Sequence, residues 1–175
     1  MKSILKYLGI FLGILMIMFV ILYFNNDIGI NKTNIEREAL ISQKIPTDWE
    51  VCKDETGSLV SMLFYDSKLE NHIFSIYVNR KGLSFGYFFR EGGSLGEMID
   101  NVVEFNIEGF NEKIYMSTNK NEVCKIELND GSTIKVIDID STKPFTVILP
   151  TNLGTVTIYD VNGNIVESVV YKKNK

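Results

Sequence analysis

Alanine is almost missing from this 175-residue chain: Ala39 is the only one. A signal-peptide processing site needs small residues in an Ala-x-Ala-like step, so this scarcity argues against removal of an N-terminal segment. Histidine is equally rare. The sole copy, His72, has no ligand spacing to either cysteine, so no metal or cofactor is expected. Only two cysteines are present, Cys52 and Cys124, and neither lies near residue 20, where a lipid would be attached. Positive charge is short as well, with 18 Lys and Arg against 22 Asp and Glu. An acidic balance argues against binding a phosphate backbone, which excludes nucleic acid as an expected partner.

What the chain does have is one long apolar run. Tyr7 to Phe24 holds eighteen residues without a charge or a side-chain amide, directly behind Lys2 and Lys6. As a helix it spans about 27 Å, close to the hydrocarbon core of a bilayer. The Lys6 stem can snorkel to the headgroups at its start. A cleavable signal has a shorter apolar core, about 7–15 residues, so the run is expected to stay attached as a signal-anchor over residues 1–24. Lys2 and Lys6 precede it, while Asn25, Asn26 and Asp27 follow, and the next cation is Lys32. The positive-inside tendency then keeps the N-terminus cytoplasmic and the remainder outside the cell membrane. Gly9 and Gly13 form a small-xxx-small pair, a face on which two such helices can approach.

Residues 25–45 read as a polar connector with a short helix. Thr33 and Glu36 have capping-box spacing, Ile35, Ala39 and Leu40 line one side, and Pro46 ends it. From Trp49 the apolar period is two. Strands are expected near 49–53, 59–65, 72–79, 83–90, 102–107, 113–118, 122–128, 132–139, 145–149, 155–161 and 165–171. The expected fold class is all-β: an antiparallel β-sandwich-like ectodomain over residues 46–175, after one transmembrane helix and a short juxtamembrane helix. Three hairpins have readable turns. A loop Arg80-Lys81-Gly82 pairs Asn79 with Leu83, Tyr77 with Phe85 and Phe74 with Phe88. A loop Asn129-Asp130-Gly131 pairs Ile126 with Ile134 and Cys124 with Val136. Around Asn162-Gly163, two- and three-residue loops fit equally. The first hairpin is apolar on both faces, so it is expected to lie between a second sheet and a further cover: the short helix, a partner or the membrane. Ser94 to Val103 reads either as a short helix, with Ser94 capping toward Glu97, or as strand.

Catalytic patterns are weak. Gly-x-Ser-x-Gly occurs around Ser84 and Ser94, but a nucleophile elbow needs a strand-to-helix turn and a base, and His72 precedes both. Bacterial serine–lysine signal peptidases also place a β domain behind an N-terminal anchor. Ser61-Met62 is the only echo of their motif, and the proline expected shortly after is absent. Asp160, Asn162 and Asn164 start like a calcium loop, but glycine falls at the fourth position, which makes a hairpin turn. Asp138 and Asp140 share a strand face and read as a solvated strand end. No catalytic residue is therefore named.

Two features remain open. Six rings near the first hairpin, Phe74, Tyr77, Phe85, Tyr87, Phe88 and Phe89, are most simply core, but they exceed what one face buries and so are also a possible binding surface for sugars or peptides. Cys52 and Cys124 are either a disulfide or two unpaired thiols. The asparagine, lysine and isoleucine bias suggests a low-GC bacterial source. The expected function is a membrane-anchored, non-enzymatic module binding a protein or cell-wall partner. The alternatives are an accessory subunit of a larger membrane complex and, less favoured, an unrecognised hydrolase.

Overall fold

The computed structural model describes residues 2–80, 82, 84–152 and 154–172. The apolar run forms helix α1, Lys2–Phe24, and the described side chains along it are exposed except Leu22. Such a surface is unfavourable in water and natural in lipid. The end of α1 is a Schellman stop. Asn26 adopts a left-handed φ of 55°, its N–H donates to Tyr23 O, and Asp27 N–H donates to Leu22 O at 2.9 Å.

The connector that follows is not loose. Gly29 N–H donates to Phe85 O and Phe85 N–H to Asp27 O, while Ile30 and Tyr87 exchange both backbone bonds at 2.8 Å. Residues 28–30 thus lie along the leading end of strand β4, Tyr87–Gly93, as a strap that ties α1 to the β domain. Glycine is required on both sides of this contact. A Cβ on Gly29 would sit 2.5 Å from Tyr87 O, and one on Gly86, at φ +87°, 2.7 Å from Ile30 O.

A 3₁₀ turn at Lys32–Asn34 leads into α2, Ile35–Ser42. The cap differs from the expected capping box: Asn31 Oδ1 accepts from Thr33 N–H and its hydroxyl, both at 3.1 Å. Helix α2 stops before Pro46 in a second Schellman arrangement, with Lys44 at φ 55° and Ile45 N–H donating to Leu40 O.

The rest is mostly β. Strands β1 (Glu50–Glu55), β2 (Leu59–Tyr65), β3 (His72–Asn79) and β4 form one antiparallel sheet in that order. A second sheet has the order β11 (Ser168–Val170), β5 (Val102–Asn106), β6 (Glu112–Ser117), β9 (Phe145–Pro150). The third is β10 (Thr155–Asp160), β7 (Val123–Asn129), β8 (Ile134–Asp138). The strand pairs are antiparallel except β11 with β5, which runs parallel. This one pair departs from the wholly antiparallel expectation.

Three cores separate these layers. Ile35, Ala39 and Ile45 pack with Val60, Met62, Phe64, Tyr77 and Tyr87, so the short helix covers one face of the first sheet. The opposite face supplies Leu59, Leu63, Phe74, Ile76 and Val78 to a core shared with Val103, Phe105, Ile114, Met116 and Ile148 of the second sheet. Tyr171 closes this core, its ring stacked on Phe105 at 4.7 Å. Val102, Tyr115, Phe145 and Leu149 then meet Val123, Ile126, Leu128 and Ile158 of the third sheet. Polar stitches join the first two sheets: Ser61 and Thr146 hydroxyls lie 2.6 Å apart, both buried, and Ile148 N–H donates to Asp54 Oδ2 at 2.7 Å.

Two hairpin registers differ from expectation. Strand β3 pairs Asn79 with Tyr87, Tyr77 with Phe89 and Phe74 with Gly93, with an irregularity after Ile76. Tyr77 does not face Phe85 because the strap uses the backbone of Phe85. Lys81 and Leu83 lie outside the described residues, and with them the expected loop and the Asn79–Leu83 pair. In the second hairpin, Ile126 faces Ile137 and Asn129 faces Ile134. Asp130 sets this longer loop: its Oδ1 accepts from Ser132 and Thr133 N–H at 2.8 and 2.7 Å. Around Asn162-Gly163 the loop has three residues, closed by Asp160 N–H to Asn164 O, with Gly163 at φ +81°. Residues 94–103 are neither of the two expected elements throughout: a 3₁₀ turn at Gly96–Met98 precedes β5.

Candidate binding cleft

Along β5 the side chains alternate, with Val103 and Phe105 in the core between the first two sheets and Val102 facing the third. Glu104 shares the face of Val102, where an apolar residue would be routine, yet it is 92% buried at a relative exposure of 8%. A carboxylate there requires partners. Lys113 Nζ lies 2.7 Å from Glu104 Oε1, Asn106 Nδ2 donates to the same oxygen at 3.1 Å, and the Tyr115 hydroxyl is a further donor. Burial pushes the Glu104 carboxyl up, but hydrogen bonds from Lys113 and Asn106 outweigh it and hold the group below its ordinary value. Burial raises the Tyr115 phenol, helped by the adjacent carboxylate.

Glu104, Lys113 and Tyr115 floor a cleft of about 580 Å³ between the second sheet, strand β10 and residues 165–168. Leu149, Val156, Ile158, Ile165 and Val166 wall it. Thr151, Thr157, Glu167 and Ser168 also line it, so polar groups outnumber what an apolar pocket carries, in a cleft of ordinary small-ligand size. The group offers a carboxylate, an ammonium and a phenol to a polar solute. It also ties β5 to β6, because Glu104 pairs with Tyr115 across the ladder. The signal of this group in the sequence is a glutamate interrupting Val102-Val103-Glu104-Phe105, with Lys113 two residues before Tyr115 on the same strand face.

Ser94 and His72 do meet, against the expectation drawn from their order. Ser94 Oγ lies 3.2 Å from His72 Nε2. Leu95 N–H also donates to Nε2, at 2.9 Å, so the lone pair a general base would use is already engaged. Among the described residues, His72 Nδ1 is buried without a hydrogen-bond partner, and no carboxylate among them orients the ring. Burial, then the charge of Lys120, depresses the His72 pKa. This geometry suits a neutral imidazole that holds the turn after β4.

The six rings do not form one surface. Phe74 is in the core between the first and second sheets, and Tyr77 and Tyr87 are in the core under α2. Phe85 and Phe89 are exposed at 56% and 49%, while Phe88 is half-buried with the Arg80 guanidinium 3.9 Å over its ring. Opposite faces of β3 took rings that the sequence pattern grouped together. Cys52 on β1 and Cys124 on β7 are free thiols in different sheets, so the possible disulfide is not formed. Burial pushes the Cys52 thiol up to about 12. Asp160, the calcium-like start, spends its carboxylate on Asn162 and Asn164 of its own turn. Comparison of the chain with protein-family models, curated proteins and solved structures returns no match.

Proposed function

We propose that this chain is a single-pass, membrane-anchored, extracytoplasmic binding module of a bacterial cell envelope, without enzymatic activity. Its N-terminus is cytoplasmic, α1 remains uncleaved, and the domain beyond it is an antiparallel β-sandwich. Support for the topology comes from Lys2 and Lys6 at the start of α1, against Asn25, Asn26 and Asp27 directly after it and no cation until Lys32. Support for the sandwich comes from the core that the two four-stranded sheets share. The observation that carries the binding role is the convergence of Glu104, Lys113 and Tyr115 in a cleft of mixed polar and apolar lining. A photo-crosslinking residue at Ile165, in the full chain in living cells, tests it. A discrete adduct that Glu104→Leu abolishes is expected; adduct formation indifferent to Glu104 refutes the assignment.

A second reading, as an accessory subunit of a larger membrane complex, draws on strand β8. Among the described residues it has one hydrogen-bonded neighbour, and its Ile134 and Val136 side chains are exposed. An open edge of this kind accepts a strand from another protein. Loss of a co-purifying membrane complex on Val136→Pro, with Glu104→Leu neutral, favours this reading. Hydrolysis through Ser94 requires a phenotype for Ser94→Ala, and none is expected.

A further inference from the structure

We propose that residues 84–86, directly ahead of β4, dip into the bilayer beside α1, with Phe85 and Ile28 inserted among lipid acyl chains. The inference rests on the reading of α1 as a membrane span. Its geometry begins at the strap. Asp27, one of whose bonds completes the Schellman stop of α1, also accepts from Phe85 N–H at 2.8 Å. Gly29 N–H donates to Phe85 O, so Phe85 is held on both sides within a few residues of the helix end. The bonds that fix the ring here are backbone bonds, in a place where neither Gly29 nor Gly86 tolerates a Cβ.

Phe85 and Ile28 face α1 across an apolar cleft of about 880 Å³, whose other walls are Leu12, Gly13, Leu15, Met16, Met18, Phe19 and Leu22 of the helix. From Leu12 to Leu22 the helix rises about 15 Å, half the thickness of a hydrocarbon core. A cleft lined by those residues and Phe85 therefore runs from the domain-side end of α1 to about the bilayer midplane. In water Phe85 and Ile28 would stay 56% and 39% exposed. The lipid that covers the rest of α1 is continuous with this cleft and covers both. Arg80, stacked on the Phe88 ring, supplies a cation for the phosphate headgroups.

A second copy of α1 is a poorer occupant. Close helix approach uses small residues in pairs, and of Gly9 and Gly13 only Gly13 lines the cleft. Lipid chains need no such pair.

The test uses the full chain with Cys52→Ser and Cys124→Ser, reconstituted in phosphatidylcholine–phosphatidylglycerol vesicles. Single cysteines at Phe85, Leu15 and Val161 carry an environment-sensitive fluorophore, and acyl-chain spin labels act as quenchers. Val161 is an exposed apolar residue on the turn after β10, in the third sheet's hairpin, and controls for hydrophobicity alone. Phe85→Cys is expected to be quenched as strongly as Leu15→Cys and several times more strongly than Val161→Cys. If Leu15→Cys is quenched but Phe85→Cys matches Val161→Cys, the insertion is refuted while the span stands. If neither is quenched, the span itself fails and the insertion with it. Disulfide-linked dimers through Phe85→Cys, with quenching lost, would give the cleft to a second helix and overturn the proposal. Phe85→Trp in a Trp49→Phe chain with brominated lipids repeats the measurement without a probe, and quenching of that tryptophan is expected.

Discussion

Replacing Gly86 by alanine tests the strap with the least disturbance elsewhere. Gly86 has a φ of +87°, and its added Cβ would fall 2.7 Å from the carbonyl oxygen of Ile30. Holding an L-residue in the left-handed region costs about 1–2 kcal/mol. Moving the Ile30 carbonyl away sacrifices its bond from Tyr87 N–H and weakens the reciprocal Ile30 N–H to Tyr87 O, both 2.8 Å in the native chain. At about 1 kcal/mol net for each bond, the local destabilisation is about 2–4 kcal/mol in all. With about 1.4 kcal/mol per tenfold change, the open strap becomes about 30- to 1000-fold more populated. The assay is hydrogen exchange of the chain in lipid nanodiscs. The amides of Gly29, Ile30, Phe85 and Tyr87 donate in the strap and report its opening, while those of Met62 and Leu63 in the fully buried β2 report the domain core. Faster exchange is expected for the first set and native protection for the second. Native rates at all four strap amides in Gly86→Ala would refute the reasoning. So would unprotected strap amides in the native chain, because then no strap exists to break.

Ser61→Ala leaves the buried Thr146 hydroxyl, 2.6 Å away, without its partner; a loss of about 1–3 kcal/mol is expected in denaturant titration, and adding Thr146→Val should restore part of it. Glu104 has a folded pKa below its unfolded value, so its stabilisation is complete above about pH 4.5 and is lost as pH falls through the folded value. Lys113→Met should shrink that acid dependence and raise the Glu104 pKa, as read by carboxyl NMR. His72 is depressed instead, so the folded state is favoured while the ring is neutral: stability is complete above about pH 6.5 and declines below it toward the folded pKa. In His72→Gln that decline should disappear from thermal melts recorded between neutral and mildly acidic pH. Cys52, with its thiol pushed up to about 12, should resist alkylation in the native chain and react only on unfolding, as mass spectrometry would show.

The pattern of period two located the strands well, because a residue's face is a local property of the chain. Segments 59–65 and 72–79 coincide with β2 and β3 end to end. Register was less legible. Phe85 was expected opposite Tyr77, but its backbone is taken by Gly29 and Asp27, more than fifty residues away in sequence. No turn rule contains that competitor. Asp130 misled differently: a loop of glycine type was expected, whereas its carboxylate collects two backbone N–H groups and lengthens the turn. At the candidate cleft the residues were visible but their convergence was not. Glu104 stands out only once β10 and residues 165–168 close over it, which depends on the stacking of sheets. The same applies to Ser94 and His72, brought together because Gly93 pairs with Phe74 near the start of β3.

The account stands on α1 remaining attached and crossing the membrane, with the strapped domain outside. Impermeant maleimide labelling of intact cells measures this most directly, using Val161→Cys and Ser3→Cys separately in chains with Cys52→Ser and Cys124→Ser. The account predicts labelling of Val161→Cys in whole cells, of Ser3→Cys only after lysis, and an unprocessed chain mass in both. Labelling in the reverse order, or a labelled chain shortened by its first two dozen residues, would contradict it.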